Sequence, residues 1–326
     1  MHVTHMLIAK AHRRARMTDF DHTALESHLE PTHSNRHSQV MQITALLQVL
    51  SIGVIATALG GCAGAPNLNR TSTMTTQKSQ VVSLLKAIET GESEPVTVIN
   101  SDKYIQHNLN AADGVKGFEA LVQAVPKGAT RVNTVRVFQD GDHVFAHTDY
   151  NVFGPKIGLD VFRFEGGKIV EHWDTLQETP TSPNPSGRTM IDGPTQAVDL
   201  EKTAANKRTA RAFVEDVLVN GRVDKIGEYY HADIIQHHPQ IPDTVPALIA
   251  AFEGLAKAGI AVKYDRIHKV LGEGNFVLVM SEGHFAGKLT AFSDLFRIQD
   301  GKVAEHWDAV EEIPPRAEWK NGNGKF

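Results

Sequence analysis

The sequence predicts an α+β fold built twice: two tandem cone-shaped α+β barrels, each with helices packed on a curved antiparallel sheet. Three observations predict it. Residues 160–174, DVFRFEGGKIVEHWD, return 134 positions later as DLFRIQDGKVAEHWD at 294–308, with nine of fifteen positions identical. YIQHN at 104–108 is echoed 130 positions later by IIQHH, and Asp113 by Asp243. The two offsets differ by four residues, as expected for duplicated units with different loop lengths. Each unit also changes period along its length, from helical to strand-like.

Each unit opens on an amphipathic helix. Val81, Leu84, Leu85 and Ile88 in the first, and Ala210, Phe213, Val214, Val217 and Leu218 in the second, follow the i, i+3, i+4, i+7 rule. A short Gln-His segment follows, then a second helix. Asp113 precedes GVKGFEALV, and Asp243 or Thr244 precedes VPALIAAFEGL, as N-caps; Pro246 suits a first turn. Strands follow near 131–138, 144–152, 159–164 and 168–176, turning at Gly141 and Gly167; the second unit turns at Gly274 and Gly301.

The remaining organisation comes from composition. Residues 1–40 hold seven of the 17 histidines and no apolar period, so they read as a disordered or untranslated extension. Residues 41–62 contain an uncharged apolar run, Ile43–Gly61, closing on LGGC and the single cysteine, Cys62. A polar linker, 63–76, leads to domains at 77–195 and 198–326. A net charge of -5 without a Lys/Arg cluster in the repeats argues against nucleic acid as partner, and one cysteine excludes an intrachain disulfide framework.

The LGGC ending resembles a bacterial lipoprotein signal. The resemblance implies cleavage before Cys62, lipidation of Cys62, and an exported, membrane-anchored protein, in the periplasm or at the outer membrane of a Gram-negative host. An uncleaved membrane anchor is the alternative, since the run approaches the roughly 20 residues that span a bilayer.

The repeated hairpin decides which side chains share a face. A plain two-residue turn pairs Phe164 with Ile169 and puts Asp160 on the face of Trp173. A turn with a Gly bulge at Gly167 pairs Phe164 with Lys168, Phe162 with Val170 and Asp160 with His172. The bulged register is preferred because it gathers Asp160, Phe162, Val170, His172 and Asp174 on one face and sends Arg163, Glu171 and Trp173 to the other. Trp173 then needs cover, which the other repeat would provide as a pseudo-dimer partner.

YIQHN, the hairpin ending Glu-His-Trp-Asp, and the tail NGNGKF resemble SnoaL-like proteins of the nuclear transport factor two superfamily, in the branch described as predicted aldol-condensation-catalysing. The resemblance covers both repeats and implies the cone-shaped barrel shared by polyketide cyclases and ketosteroid isomerase. It places the general acid/base at Asp174 and Asp308. The cyclases have a His where this chain has Asp160 and Asp294; a carboxylate there would raise a neighbouring Asp's pKa and hold His172 or His306.

The candidate catalytic residues are therefore Asp174, His172 and Asp160, with Asp308, His306 and Asp294. Candidate substrate-binding residues are His107, Phe162, His147, His237 and Phe296. His107 and His237 have a plainer reading as braces, and His172 and His306 as struts beneath the sheet. Met280 and Glu282 stand where the first repeat has His147 and Asp149, and His238 replaces Asn108, so the two sites are unequal. No cofactor and no metal are expected; a site of His107, Asp160 and His172 lacks any short ligand spacing. The implied partner is a small apolar or carbonyl-containing molecule. Three classes stay open: a lyase or isomerase moving a proton next to a carbonyl, a non-catalytic binder of small apolar ligands, and an envelope interaction protein.

Overall fold

A computed structural model describes residues 76–326. The extension, the apolar run and Cys62 lie outside the described residues. Among the described residues no helix is long and apolar enough to cross a membrane.

The first unit begins with α1, Gln77–Thr90, where the Thr76 hydroxyl accepts a hydrogen bond from the Ser79 amide, and ends at Gly91 with φ +74°. Val81, Leu84, Leu85 and Ile88 are buried, as their spacing predicts. A short strand β1, Ile105–Gln106, precedes α2, Gly114–Ala124. Four long strands follow: β2 Arg131–Asp140, β3 His143–Asn151, β4 Pro155–Glu165 and β5 Lys168–Glu178. The sheet order is β1-β5-β4-β3-β2, antiparallel except that β1 joins β5 in parallel.

The second unit repeats this plan. Helix α3, Thr203–Phe213, widens into a π-helical stretch over Val214–Val219, followed by a single turn α4, Ile226–Tyr229. Then come β6 Tyr230–Gln236, α5 Val245–Lys257, β7 Val262–Glu273, β8 Phe276–Phe285, β9 Lys288–Gln299 and β10 Lys302–Glu312. The sheet order is β6-β10-β9-β8-β7. Thr244 caps α5. Asp113 makes no cap hydrogen bond; its carboxylate instead accepts from the Gln106 amide, as Asp243 does from Gln236.

The hairpin combines features of both expected registers. Gly166 and Gly167, at φ +57° and +77°, form a two-residue turn that pairs Glu165 with Lys168 and Phe164 with Ile169. The register then shifts, with Val170 as the extra residue, so Arg163 meets Glu171, Phe162 meets His172 and Asp160 meets Asp174. The bulge sits one step into the strand rather than in the turn. Val170 therefore leaves the inner face, which Ile169 takes, and Asp160 opposes Asp174 rather than His172. Asp160, Phe162, His172 and Asp174 still share a face, because Phe162 opposes His172 and Asp160 opposes Asp174 across the hairpin and the two members on each strand are two residues apart. The second hairpin copies the shift between Val303 and Glu305.

Opposite faces of the two sheets contribute to one apolar cluster: Phe138, Phe145, Leu159, Val161 and Trp173 from the first, and Phe276, Leu278, Met280, Leu295 and Trp307 from the second. Each Trp lies between a His of its own unit and a cation of the other. His107 stacks on Trp173 at 4.9 Å with the Lys269 ammonium 3.7 Å from the ring centre; His237 stacks on Trp307 at 4.7 Å with the Arg136 guanidinium at 4.4 Å.

The segments after β5 and β10 cross to the opposite unit. Asn184 donates to the carbonyls of Gln236, His238 and Ile241, and Trp307 donates to the Asp192 carbonyl. Asn321 donates to the carbonyls of Asn108 and Ala111, and Asn323 to that of Gln106.

Candidate active site

Each cone holds one cavity. The first, about 360 Å³, is walled by Leu85, Ile88, Phe118, Leu121 and Phe162; the second, about 340 Å³, by Phe213, Leu248, Phe252, Leu255 and Phe292. All six catalytic candidates line them: Asp160, His172 and Asp174 in the first, Asp294, His306 and Asp308 in the second. Phe162 lines the first cavity and stacks on His172 at 4.5 Å. Phe296 packs beneath His306 at 5.0 Å, as part of the second core.

The other three predicted substrate contacts face elsewhere. His107 bonds Glu171 at 3.0 Å and the Gly324 carbonyl at 2.9 Å, and His237 bonds Glu305 and the Thr189 carbonyl. These rings brace the crossing tails against the outer face. His147, fully buried, bonds Arg136 at 2.9 Å between the sheets. Burial and the Arg136 charge hold its pKa well below the usual imidazole value. Strand alternation explains each case: Gln106 pairs with His172 across the parallel ladder, so Gln106 takes the inner side and His107 the outer.

That alternation identifies the residue that fixes the cavity imidazole. Gln236 Oε1 accepts from the His237 and His238 amides, both at 3.0 Å, and bonds His306 Nδ1 at 2.9 Å. Backbone N–H groups only donate, so the amide orientation is set and His306 Nδ1 must carry a proton. Its Nε2 faces Asp294 at 3.0 Å. Gln106 holds His172 in the same way, with the Asp160 distance at 3.4 Å. Burial raises the pKa of Asp160 and of Asp294, against the hydrogen bonds from their histidines. For His306, burial opposes charging but is outweighed by the Asp294 hydrogen bond and the nearby Asp308, so its pKa is raised.

A raised folded pKa contributes stability that is complete below the unfolded value and lost as pH rises through the folded one. The stability advantage of wild type over His306→Gln therefore shrinks as pH climbs from about 6.5. Denaturant titrations across that range check it; a difference that grows with pH contradicts the assignment.

Tyrosines complete the buried network, and the repeat could not point to them. Tyr150 donates to Asp160 at 2.9 Å from β3, with Gly158 leaving room for the ring, since a Cβ there would lie 2.5 Å from it. Tyr264 reaches Asp294 at 3.3 Å from β7, two strands away across β8. Burial keeps both phenols protonated far above their usual value.

The cones differ at the second carboxylate, Asp174 or Asp308. In the first, Asn108 donates to Asp174 Oδ2 at 2.5 Å, and Lys325 from the C-terminal tail donates to Oδ1 at 3.3 Å and to Glu311 at 2.7 Å. Burial alone would raise Asp174; Lys325, His172 and Asn108 together hold it below the usual carboxylate range. The raised pKa expected for Asp174 is thus reversed by a residue 151 positions away. Donor atoms of Asp160, His172 and Asp174 lie within 4.8 Å of one another, a spacing a cation could use, but the Lys325 ammonium already supplies positive charge at Asp174. Among the described residues no lysine or arginine lines the cavity of the second cone. Asp308 Oδ1 is buried and has no hydrogen-bond partner among the described residues, and Oδ2 lies 3.7 Å from His238. Tyr230, buried and protonated, also lines this cavity.

A family model described as a SnoaL-like domain matches residues 210–306. The match falls within the second cone. No curated protein matches the chain. Among solved structures, TsrD from Streptomyces laurentii is 18% identical, covering 33% of this chain and 89% of its own, with a TM-score of 0.28. An LEH-like epoxide hydrolase of M. tuberculosis is 15% identical, covering 34% and 85%, with a TM-score of 0.28. An NTF2-like protein of unknown function from Cytophaga hutchinsonii is 14% identical, covering 32% and 94%, with a TM-score of 0.29.

Proposed function

We propose that the chain is a SnoaL-like enzyme that moves a proton next to a carbonyl group of a small apolar molecule, a lyase or isomerase, and that the second cone does the chemistry. One observation carries this reading: a carboxylate oxygen of Asp308, buried at the polar end of an apolar cavity, is left without a partner beside an Asp294–His306 pair that shares a proton. A general base needs a free lone pair in a dry site, and an enolate forming beside it needs a hydrogen-bond donor. Asp308 supplies the first. Tyr230 and the proton held between His306 and Asp294 supply the second, while Gln236 fixes the tautomer.

Among the described residues no lysine or arginine lines the wall, so the substrate is taken as uncharged, with an apolar body and its carbonyl entering first. The test is solvent deuterium exchange at the α-carbon across a panel of apolar ketones and aldehydes, followed by mass spectrometry. Exchange that disappears in Asp308→Asn supports the reading; no exchange with any member, or exchange indifferent to Asp308, overturns it.

The apolar run ending at Cys62 supports a second proposal, that the enzyme works at the cell envelope as a lipoprotein. Cys62→Ser then abolishes lipid labelling and leaves an uncleaved precursor; wild-type chain recovered unlipidated from the cytoplasm refutes it.

A further inference from the structure

The cavity of the first cone differs from the second in charge rather than in size. Lys156 lines it, from the start of β4, and forms no ion pair among the described residues. The matching position across the second hairpin is Thr290: Lys156 pairs with Tyr150 and Thr290 with Gly283, each next to the β-turn at its cone's edge. Lys156 and Asp160 are four residues apart on one strand, hence on the same face and about 13 Å apart along it. Phe153, 61% exposed in the same turn, also lines the cavity, so the rim is an aromatic ring beside an ammonium.

At the inner end, one of the two carboxylates that would repel an anion is compensated. Asp174 is engaged by Lys325 and Asn108, and Lys325 itself is only 5% exposed. The second cavity has neither compensation: Asp308 faces it with no lysine or arginine in the wall. An anionic amphiphile is therefore repelled by the second cone and tolerated by the first, where its apolar body has a wall of Leu85, Ile88, Phe118 and Leu121.

The geometry points to the first cone as a binding site for an apolar molecule bearing a carboxylate, such as a fatty acid, with its charged end at Lys156 on the rim and its chain in the cavity. This site is separate from the proton-transfer reading of the second cone and stands whether or not that cone turns over.

Displacement of cis-parinaric acid from the full chain by dodecanoate and by dodecanol tests it at equilibrium. Dodecanoate is expected to bind more tightly than dodecanol by about two- to fivefold, the order expected of one rim ion pair. Lys156→Thr brings the two affinities together while leaving dodecanol binding in place. Lys325→Met weakens dodecanoate selectively, because Asp174 and Glu311 lose their cation. Equal affinities in wild type, or an acid preference that survives Lys156→Thr, overturn the assignment. Lys156 is at the rim, so its variant keeps the test decisive even if Lys325→Met fails to fold. Deuterium exchange by the second cone is read separately on the same samples, so failure of one reading leaves the other standing.

Discussion

Replacing Asp308 by Asn lowers carbonyl-directed proton exchange by roughly 10²-fold or more, the range attributed to a positioned general base. The substitution keeps shape and removes only the proton-accepting oxygen charge. Because Oδ1 makes no internal hydrogen bond among the described residues, little folding energy depends on it, and the loss falls on turnover rather than on stability. Asp174→Asn lowers exchange much less, since that carboxylate is already occupied by Asn108 and Lys325. Measuring kcat for both variants, with melting temperatures as a control for folding, checks the assignment. Equal losses in the two variants would show that the cones share the work.

Trp307→Ala is expected to cost about 3–5 kcal/mol, the range for emptying a buried Trp site. The ring is 1% exposed, stacked on His237, faced by the Arg136 guanidinium and hydrogen-bonded through Nε1 to the Asp192 carbonyl. Its loss opens a cavity between the sheets, removes the aromatic face from a buried cation and frees the crossing segment. Trp307→Phe keeps most of the volume and loses the hydrogen bond, about 1 kcal/mol. The equivalent ring, Trp173, has no partner for Nε1 among the described residues, so Trp173→Phe costs less than Trp307→Phe. Urea titrations of the three variants give the ranking; a mild effect of Trp307→Ala would mean the sheets do not depend on this cluster.

Much of the fold was legible because periodicity is local. The helix stripes, the four long strands and the Gly turns follow from spacing alone, and the repeat shows that the order occurs twice. Parity along the hairpin was enough to place Asp160, Phe162, His172 and Asp174 on one face, although the bulge lies at Val170 rather than in the turn. A one-residue shift anywhere before Glu171 produces the same parity, so residue faces were readable while the pairing of Asp160 with Asp174 was not.

The roles of His107, His237 and His147 could not be read this way. The sequence marks the Gln-His pair as repeated, but which member turns inward depends on the parallel pairing of β1 with β5, two segments 66 positions apart. Nor does it show that Arg136 comes from the neighbouring strand to meet His147.

By itself, then, the sequence determined a twice-repeated α+β unit and a hairpin face carrying two carboxylates and an imidazole, because these depend on neighbours within a few residues. Only the tertiary structure decided that the two sites differ. The C-terminal tail crosses to the first cone and delivers Lys325 to Asp174, while the segment after β5 crosses to the second and pairs Arg188 with Asp243, leaving Asp308 Oδ1 without a hydrogen-bond partner among the described residues. The physical reason is that a buried carboxylate takes its charge state from whichever groups surround it in space, and a cation 151 positions away outweighs the burial that local sequence predicts.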